Sequence, residues 1–321
     1  MAMITQAQER DQISLLLSRD ETSNHQLDNF YQEALKAIRD NLTAFYVRYA
    51  DENGLTVSDV MQQVNRWDMI QWKQAIDSID TNSLTSDAET RIKYYAATAG
   101  INRNYLIMSI LGVQLVIATA KTAVEIASRI KRDVDDTMAV KTGLLNYAKA
   151  NQDEVNKIHA LKQKIYHDHV EDSFEDAAQR WSPRLWQKSD EFTRKVQNVV
   201  TQHLTSGIGI EDLNKRLFPD ISEAAKAGSV SREVDSMDYV AQRLIRTESA
   251  RAVTEVNKEI YKLNGVERVD VVNEPGACPI CVDLAEQGPY KLSEVPDIPA
   301  HPNCRCSIIP HDESSFDWKT A

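Results

Sequence analysis

The sequence predicts a mainly α protein, in which a long-helix N-terminal region precedes a small α+β C-terminal module closed by a Cys/His cluster. Ten glycines and nine prolines in 321 residues are few, and scarce chain-breaking residues favour long helices over many short strands. Apolar residues in the first 180 positions recur at helical spacing. All four cysteines fall between Cys278 and Cys306, beside two short β-branched runs that are typical of strands.

The first 180 residues are predicted to form consecutive helices without a catalytic motif. The predicted ranges are 29–49, 55–79 and 136–174, together with 88–132 as one helix or two. Gly100 and Gly112 are the weak points of the last range, because glycine lowers helix stability. His167 and His169 flank Asp168, but on a helix their side chains point about 200° apart. We therefore expect them on a solvated helix face and not at a shared metal.

A connector and a compact module are predicted after residue 180. A helix is expected to begin after Ser182, which would cap it, with Pro183 in the first helical position. A longer helix is predicted over 236–263, with Gly265 as its stop, followed by strands at 266–272 and 307–309. The predicted regions are a helical N-terminal region, a helical connector and the cysteine-containing module, at 1–180, 181–235 and 236–321.

Charge and hydropathy limit the partners that the chain is expected to bind. The net charge is −11, and residues 270–321 carry 3 basic and 9 acidic side chains. A protein that coats duplex DNA needs a basic surface, so this class is excluded and any DNA contact has to be local. The most apolar stretch, 104–120, is shorter than the roughly 20 residues that cross a bilayer. It is predicted to be a buried or oligomer-facing helix, with no membrane span.

The first residues of the chain predict folding in a reducing cytoplasm. Glu9, Arg10 and Asp11 lie where a secretory signal would have its apolar core. Disulfide-stapled proteins are typically exported, whereas cysteine clusters in the cytoplasm tend to bind metal.

The cysteines and one histidine carry most of the chemical information. Cys278-Pro-Ile-Cys281 precedes Cys304-Arg-Cys306, and His301 lies just before the second pair. A Cys-x-x-Cys turn brings two thiolates to one metal, and in an extended Cys-x-Cys both thiols face the same side. Four thiolates, or three with His301, would form a closed tetrahedral zinc site with a structural role. Two disulfides and four free thiols are the alternatives.

A second group of candidate residues lies on the predicted helix before the cysteines. Arg243 and Arg251 share one face with Thr247 at four-residue spacing, while Arg246 and Glu248 point elsewhere. No histidine, nucleophile or second carboxylate is in register with Glu248, so no catalytic residue is predicted. We expect Arg246 or Glu248 to bond the adjacent strand-and-loop unit. Contact of these four charged residues with DNA or a partner is the alternative.

Three segments, in this order, are similar to one known family. They are Ala-Gln-Arg-Leu-Ile-Arg-Thr-Glu at 241–248, Cys-Pro-Ile-Cys at 278–281 and Pro-Ala-His-Pro-Asn-Cys-Arg-Cys at 299–306. Together they resemble the phage head-morphogenesis family, which is typified by the Mu protein F-like minor head proteins. Trp-Ser-Pro-Arg-Leu-Trp at 181–186 and Gly-Ile-Gly at 207–209 also resemble the family's approach to this module. The resemblance covers about residues 180–310.

Two loops depart from the usual pattern of that family. Many members have an aromatic residue and an aspartate shortly before the first cysteine, where this chain has Val-Asp-Val-Val at 269–272 and Glu-Pro-Gly-Ala at 274–277. Glu-Gln-Gly at 286–288 displaces a glycine that often follows the first cysteine knuckle. These departures concern loop details and not the resemblance as a whole.

The resemblance implies a minor structural protein of the capsid interior and no enzymatic activity. Such proteins associate with the portal and act in head assembly and in DNA packaging or ejection. The implied partners are the portal protein, scaffold or major capsid protein, with weak contact to phage DNA. The implied location is the virion, after assembly in the host cytoplasm. Some relatives carry a toxin or enzyme domain after this module, and the end of this chain soon after Pro310 favours the purely structural role.

Two other functions stay open from the sequence. A metal-dependent nuclease would use His301 and Asn303 beside the cysteines, although no second histidine motif lies nearby. A DNA-binding module would use a basic helix face. Its residues would be Arg243, Arg246, Arg251, Lys258 and Lys262, and the glutamates between them reduce its positive charge.

Overall fold

The computed structural model describes residues 4–77, 79, 85–144, 151–171, 180–219 and 227–312. Helices dominate this part of the chain and a small sheet lies near its C-terminal end, which confirms the predicted fold class. The helices are α1 (Gln6–Tyr49), α2 (Val57–Met61), α3 (Arg66–Asp77), α4 (Ser86–Thr98), α5 (Arg103–Leu144), α6 (Gln152–Tyr166), α7 (Trp181–Leu204), α8 (Ile210–Leu217), α9 (Val230–Leu263) and α10 (Pro279–Glu286). The strands are β1 (Arg268–Val272), β2 (Tyr290–Lys291) and β3 (Ser307–Pro310).

The chain forms two compact units, each assembled from segments that are distant in sequence. The cysteine unit comprises Met1–Asn24, Glu125–Trp181 and Gln242–Ala321, and the helical unit comprises His25–Val124 and Ser182–Ala241. Helices α1, α5 and α9 each supply residues to both units. The units therefore group the chain differently from the three consecutive regions predicted from the sequence, whose boundaries stay a prediction.

Helix α1 begins at Gln6, far upstream of the predicted start at residue 29. Its buried stripe includes Ile13, but also the polar residues Glu9, Asp20 and Ser23. Each of these three polar side chains has a hydrogen-bonding partner. The apolar pattern missed this half of the helix because polar residues occupy positions at which an amphipathic helix normally has apolar ones.

The single helix predicted over 55–79 is wrong, because α2 ends at Met61 and α3 begins at Arg66. The Asn65 side chain accepts hydrogen bonds from the backbone N–H groups of Trp67 (2.8 Å) and Asp68 (3.1 Å). An asparagine in this position starts a helix as its N-cap. A polar cap thus divides a stretch whose apolar spacing alone indicated one helix.

Of the two glycines predicted as weak points, only Gly100 interrupts the helices. It lies between α4 and α5, whereas α5 runs without a break through Gly112 and past the end predicted at residue 132. A Cβ atom at Gly112 would overlap the ring of Tyr95 on α4. Close packing between α4 and α5 therefore offsets the low helix propensity of glycine here.

Helix α5 contains the most apolar stretch of the chain. Among the described residues, Arg103–Gly143 is the one helical segment that is long and apolar enough, by length and composition, to cross a membrane. In its most apolar window, 72% of the residues are buried inside the protein. Such burial is typical of a core helix and agrees with the predicted buried helix over 104–120.

The sheet is antiparallel, with strand order β2-β1-β3. Val269 pairs with Tyr290 of β2, and Val271 pairs with Ile308 of β3. The apolar side chains of β1 and β3 form a core with Tyr261 of α9, and three cysteines are buried in the same cluster. Three of the four cysteines are therefore part of the core of the cysteine unit, and Cys278 packs against it.

Several predicted boundaries in the C-terminal half shift by a few residues. Helix α7 begins at Trp181, so Ser182 lies inside its first turn and is not the cap that the sequence predicted. Helix α9 begins at Val230 instead of 236, and Gly265 follows its end with a positive φ of 68°. Strand β1 starts later than residue 266, because the Val266 N–H donates to the Tyr261 carbonyl (3.0 Å) and completes the helix cap. Strand β2 was not predicted, since two residues show no alternation.

We predict that Gly112→Ala lowers the free energy of unfolding by about 1–3 kcal/mol, because the new methyl group overpacks against Tyr95. Gly143→Ala, on the same helix, is the matched control. A Cβ atom at Gly143 meets nothing within 4 Å, so this change is expected to be neutral or to stabilise by up to about 1 kcal/mol. Chemical denaturation followed by far-ultraviolet circular dichroism measures both. Equal effects of the two substitutions would contradict the packing role of Gly112.

Candidate metal centre

The first cysteine pair is positioned by the start of α10. Cys278 is the N-cap of this helix and Pro279 is its first residue, so the Cys-x-x-Cys turn coincides with the first helical turn. Proline is favoured in this position because its fixed φ suits a helix and its missing N–H would lack a partner. Cys281 lies three residues after Cys278 and its side chain is buried.

The second pair lies in an irregular segment that leads into β3. Residues 304–306 belong to neither helix nor strand, and the preceding Asn303 has a positive φ of 75°. Asparagine is one of the few non-glycine residues that adopt this left-handed conformation readily. This turn brings His301 and Cys304 back toward the start of α10.

The cluster has the geometry of a metal site. Nε2 of His301 lies 3.0 Å from the Cys278 Sγ and 3.3 Å from the Cys281 Sγ, and the Sγ atoms of Cys281 and Cys304 are 3.6 Å apart. Ligand atoms around a tetrahedral zinc lie roughly 3.5–3.8 Å from one another. These three distances are therefore close to those between ligands of one metal ion.

Five candidate ligands form two overlapping groups. One group consists of Cys278, Cys281 and His301, the other of Cys281, Cys304 and Cys306, and within each group the ligand atoms lie within 4.8 Å of one another. All four cysteines are free, and no disulfide joins them. The cluster can hold a metal ion, with Cys281 common to both groups.

The protonation of the cluster also favours a cation. A hydrogen bond from the Cys306 thiol lowers the pKa of Cys304 to about 6, whereas burial raises the pKa of Cys281 to about 12. Several thiolates cannot be charged side by side without a compensating positive charge. Nδ1 of His301 lies 3.0 Å from the Pro302 carbonyl oxygen. Because a carbonyl only accepts, Nδ1 donates there, and this hydrogen bond raises the pKa of His301. In the neutral form of the ring, Nε2 is left to bind a metal.

Helix α9, which contains Arg246, Thr247 and Glu248, holds in place the loop that carries His301, Cys304 and Cys306 (the metal loop). The Thr247 hydroxyl accepts a hydrogen bond from the backbone N–H of Asn303 (3.0 Å) and donates to the Arg243 carbonyl (2.7 Å). Arg246 forms an ion pair with Glu274, whose other oxygen accepts from the backbone N–H of Arg305 (2.9 Å). Helix α9 therefore contacts the loop directly at Asn303 and, through Glu274, at Arg305.

The structure places the four predicted charged residues of α9 in different environments. Arg243 and Arg251 are exposed, and Arg251 pairs with Glu248 at 2.7 Å. Glu248 itself is buried, and Arg246 is half-buried beside Glu274. The geometry thus gives Arg246 the bond to the strand-and-loop unit. Of the three arginines, Arg243 and Arg251 are exposed, whereas Arg246 is half-buried and paired with Glu274.

The histidines at 167 and 169 lie apart from this cluster. They belong to a π-helical turn, His167–Glu171, that continues α6. His167 is exposed, but His169 is half-buried and burial lowers its pKa, so a solvated face is the wrong description for His169. Within the described ranges, neither residue belongs to a group that could hold a metal.

Sequence reasoning missed several residues that support the site. Glu274 holds the backbone at Arg305, and the buried Arg305 side chain pairs with Asp20 of α1. One signal was available, because Asp20 interrupts an apolar stripe where helical spacing favours an apolar residue. Nothing in the sequence pattern indicates its partner, which lies 285 residues away.

We predict that Thr247→Val destabilises the cysteine unit by about 1–2 kcal/mol, because the Asn303 N–H loses its acceptor. Thr142→Val is the matched control, since Thr142 also donates to the carbonyl four residues earlier (2.7 Å). We expect the control to change the free energy of unfolding by less than about 0.5 kcal/mol. Denaturation curves measured on both variants provide the test. The proposed loop contact would be contradicted by similar losses in the two proteins.

Comparison of the chain with protein-family models, with curated protein sequences and with solved structures gave no significant match in any of the three.

Proposed function

We propose that this chain is a structural minor head protein of a bacteriophage. In this proposal, a zinc ion cross-links the C-terminal module of the chain. The observation that carries this proposal is the contact among the segments on which the family resemblance rests. Thr247 accepts from the backbone of Asn303, and the thiols of Cys278 and Cys281 reach His301. Segments that follow one another in the resemblance also support one another in space, as expected for one folding module.

The metal is proposed to be zinc on the basis of the donor atoms. Thiolate sulfur and imidazole nitrogen in tetrahedral arrangement are typical of zinc, whereas magnesium and calcium take oxygen ligands. The proposed ligands are Cys278, Cys281, His301 and Cys304. When bound, zinc would supply a cross-link between the start of α10 and the loop before β3.

Cys306 is proposed to lie beside the metal and not on it. Its Sγ accepts a hydrogen bond from the Glu274 N–H (3.5 Å) and lies 3.7 Å from Oδ1 of Asn273. These contacts direct the Cys306 thiol toward the residues that follow β1. A neighbour that hydrogen-bonds a ligating thiolate such as Cys304 typically tunes and orients that ligand.

A closed site with four protein ligands favours a structural function over an enzymatic one. No position is left for a water or substrate, which a catalytic zinc requires. His301 has its Nδ1 bonded to the Pro302 carbonyl and its Nε2 directed at thiols, so it offers no free nitrogen as a general base. The nuclease alternative therefore has little geometric support.

We predict that purified protein contains stoichiometric zinc and that Cys281→Ser abolishes it, since Cys281 contacts both halves of the cluster. Cys306→Ser is the matched control and is expected to retain the metal. Inductively coupled plasma mass spectrometry on protein expressed with zinc measures both. Absence of zinc from the wild-type protein would contradict the proposed metal site. Loss of zinc in Cys306→Ser but not in His301→Ala would indicate the four-thiolate set instead.

Protein partners are proposed in preference to DNA. The net charge is −11, and two of the basic residues of α9 are neutralised by ion pairs: Arg246 with Glu274 and Arg251 with Glu248. We propose the portal protein as the principal partner, scaffold or major capsid protein as further ones, and only weak contact with phage DNA. The proposed location is the interior of the virion, after assembly in the host cytoplasm.

We predict that the chain co-purifies with the cognate portal protein when the two are co-expressed, and that it is present in purified virions. If the zinc ion has a structural role, Cys281→Ser reduces the association with the portal, because the module loses its cross-link. Cys306→Ser is expected to preserve the association. Affinity purification with a tag on the portal measures the association. Absence of binding together with absence from virions would refute the proposed function.

A further inference from the structure

Arg305 lies between two of the cluster's cysteines, but its side chain is buried in the core of the cysteine unit, with 2% exposure. Its Nε donates to Oδ2 of Asp20 at 2.8 Å, and its Nη2 donates to Oδ1 of the same carboxylate. Its Nη1 donates to the Ser249 hydroxyl at 3.0 Å. One residue of the candidate metal loop therefore binds α1 and α9 simultaneously.

The Asp20 carboxylate is shared with other guanidinium groups. Arg129 of α5 donates to its Oδ1 at 3.1 Å and also to Asp133 at 2.6 Å. The four residues Asp20, Asp133, Arg129 and Arg305 are all buried and their charges balance. Neutralising Asp20 would leave Arg305 without its bidentate partner in a low-dielectric interior, where an unpaired charge is costly.

The backbone of the metal loop depends on these contacts. Residues 304–306 have no helix or strand to hold them. Instead, Glu274 accepts from the Arg305 N–H at 2.9 Å, and the Glu274 N–H donates to the Cys306 Sγ at 3.5 Å. The Arg305 side chain and backbone are thus both held, and release of the side chain would remove one of the two restraints on the segment that carries Cys304.

We propose that Arg305 couples metal binding at the cysteine cluster to the docking of the first half of α1, residues 6–24, within the cysteine unit. Asp20 is the positioning residue in this coupling. The inference rests on the proposed metal-binding role of the cluster. Because coupling between two equilibria is reciprocal, bound metal stabilises the docked helix, and the docked helix raises the affinity for metal. Loss of metal then loosens α1 more than the rest of the fold.

Hydrogen–deuterium exchange on the full-length wild-type protein tests the coupling without any substitution. We expect removal of zinc with a chelator to accelerate amide exchange in residues 9–20 of α1 and in 299–306. Exchange in α7, which belongs to the helical unit, is expected to stay unchanged. Exchange in residues 9–20 that is the same with and without zinc would overturn the inference.

Metal titration provides the reciprocal measurement. Asp20→Asn is expected to weaken binding by about 5–150-fold, the range that is typical of coupling between two sites. Glu21→Gln removes the same charge from the neighbouring, exposed position and is expected to change affinity by less than about twofold. Cobalt(II) is the probe, because its absorption reports both affinity and ligand geometry. We expect altered absorption bands in Asp20→Asn and not in Glu21→Gln.

Two outcomes of the titration separate this inference from the proposed function. If wild-type protein binds neither zinc nor cobalt, both the metal site and the coupling are wrong. If wild-type and folded Asp20→Asn protein bind cobalt with equal affinity and equal spectra, only the coupling is wrong. Should Asp20→Asn fail to fold, Arg305→Lys serves as the second variant. Lysine keeps the charge but not the bidentate bond, so the same loss of affinity is expected.

Discussion

The carboxylate of Asp20 receives Arg305 from the C-terminal loop and Arg129 from α5, so segments from both ends and the middle of the chain meet at one buried anion. Ser249 of α9 joins this group through Arg305. Removing ions from water costs several kcal/mol each, and the cost is offset only when opposite charges and hydrogen bonds are all in place. Few arrangements of these segments satisfy that condition. The main effect of these buried charges is therefore to restrict how the cysteine unit can assemble, and their contribution to its stability is smaller.

A second buried polar group acts on the same segments. Glu9 of α1 pairs with Lys141 of α5 and accepts a hydrogen bond from the Ser307 hydroxyl at the start of β3. The Tyr261 hydroxyl of α9 donates to the Ile308 carbonyl (3.0 Å). Two separate polar groups along α1 define its axial position, because sliding the helix by one turn would leave several buried charges without partners.

The sheet is too small to be stable without these neighbours. Its three strands have five, two and four residues, and small sheets need a helix or another constraint to persist in water. Ile4 and Ile13 from the start of the chain pack in the same apolar core as β1 and β3. A metal would add a further restraint at the cysteines, where loops replace regular structure. The docked α1 and a bound metal would thus both stabilise the small core around the sheet.

Features that depend on neighbouring residues could be predicted from the sequence. The mainly helical class, the end of α9 at Gly265, strands β1 and β3 and the convergence of the cysteines all follow from spacing or from the conformational preference of one residue. Only the tertiary structure decided the first half of α1, the two-residue strand β2 and the partner of Arg305. The position of Asp20 within an apolar stripe indicates its burial, but a contact across 285 residues leaves no periodicity that identifies its partner. The local pattern determined which groups exist, and three-dimensional packing determined which of them meet.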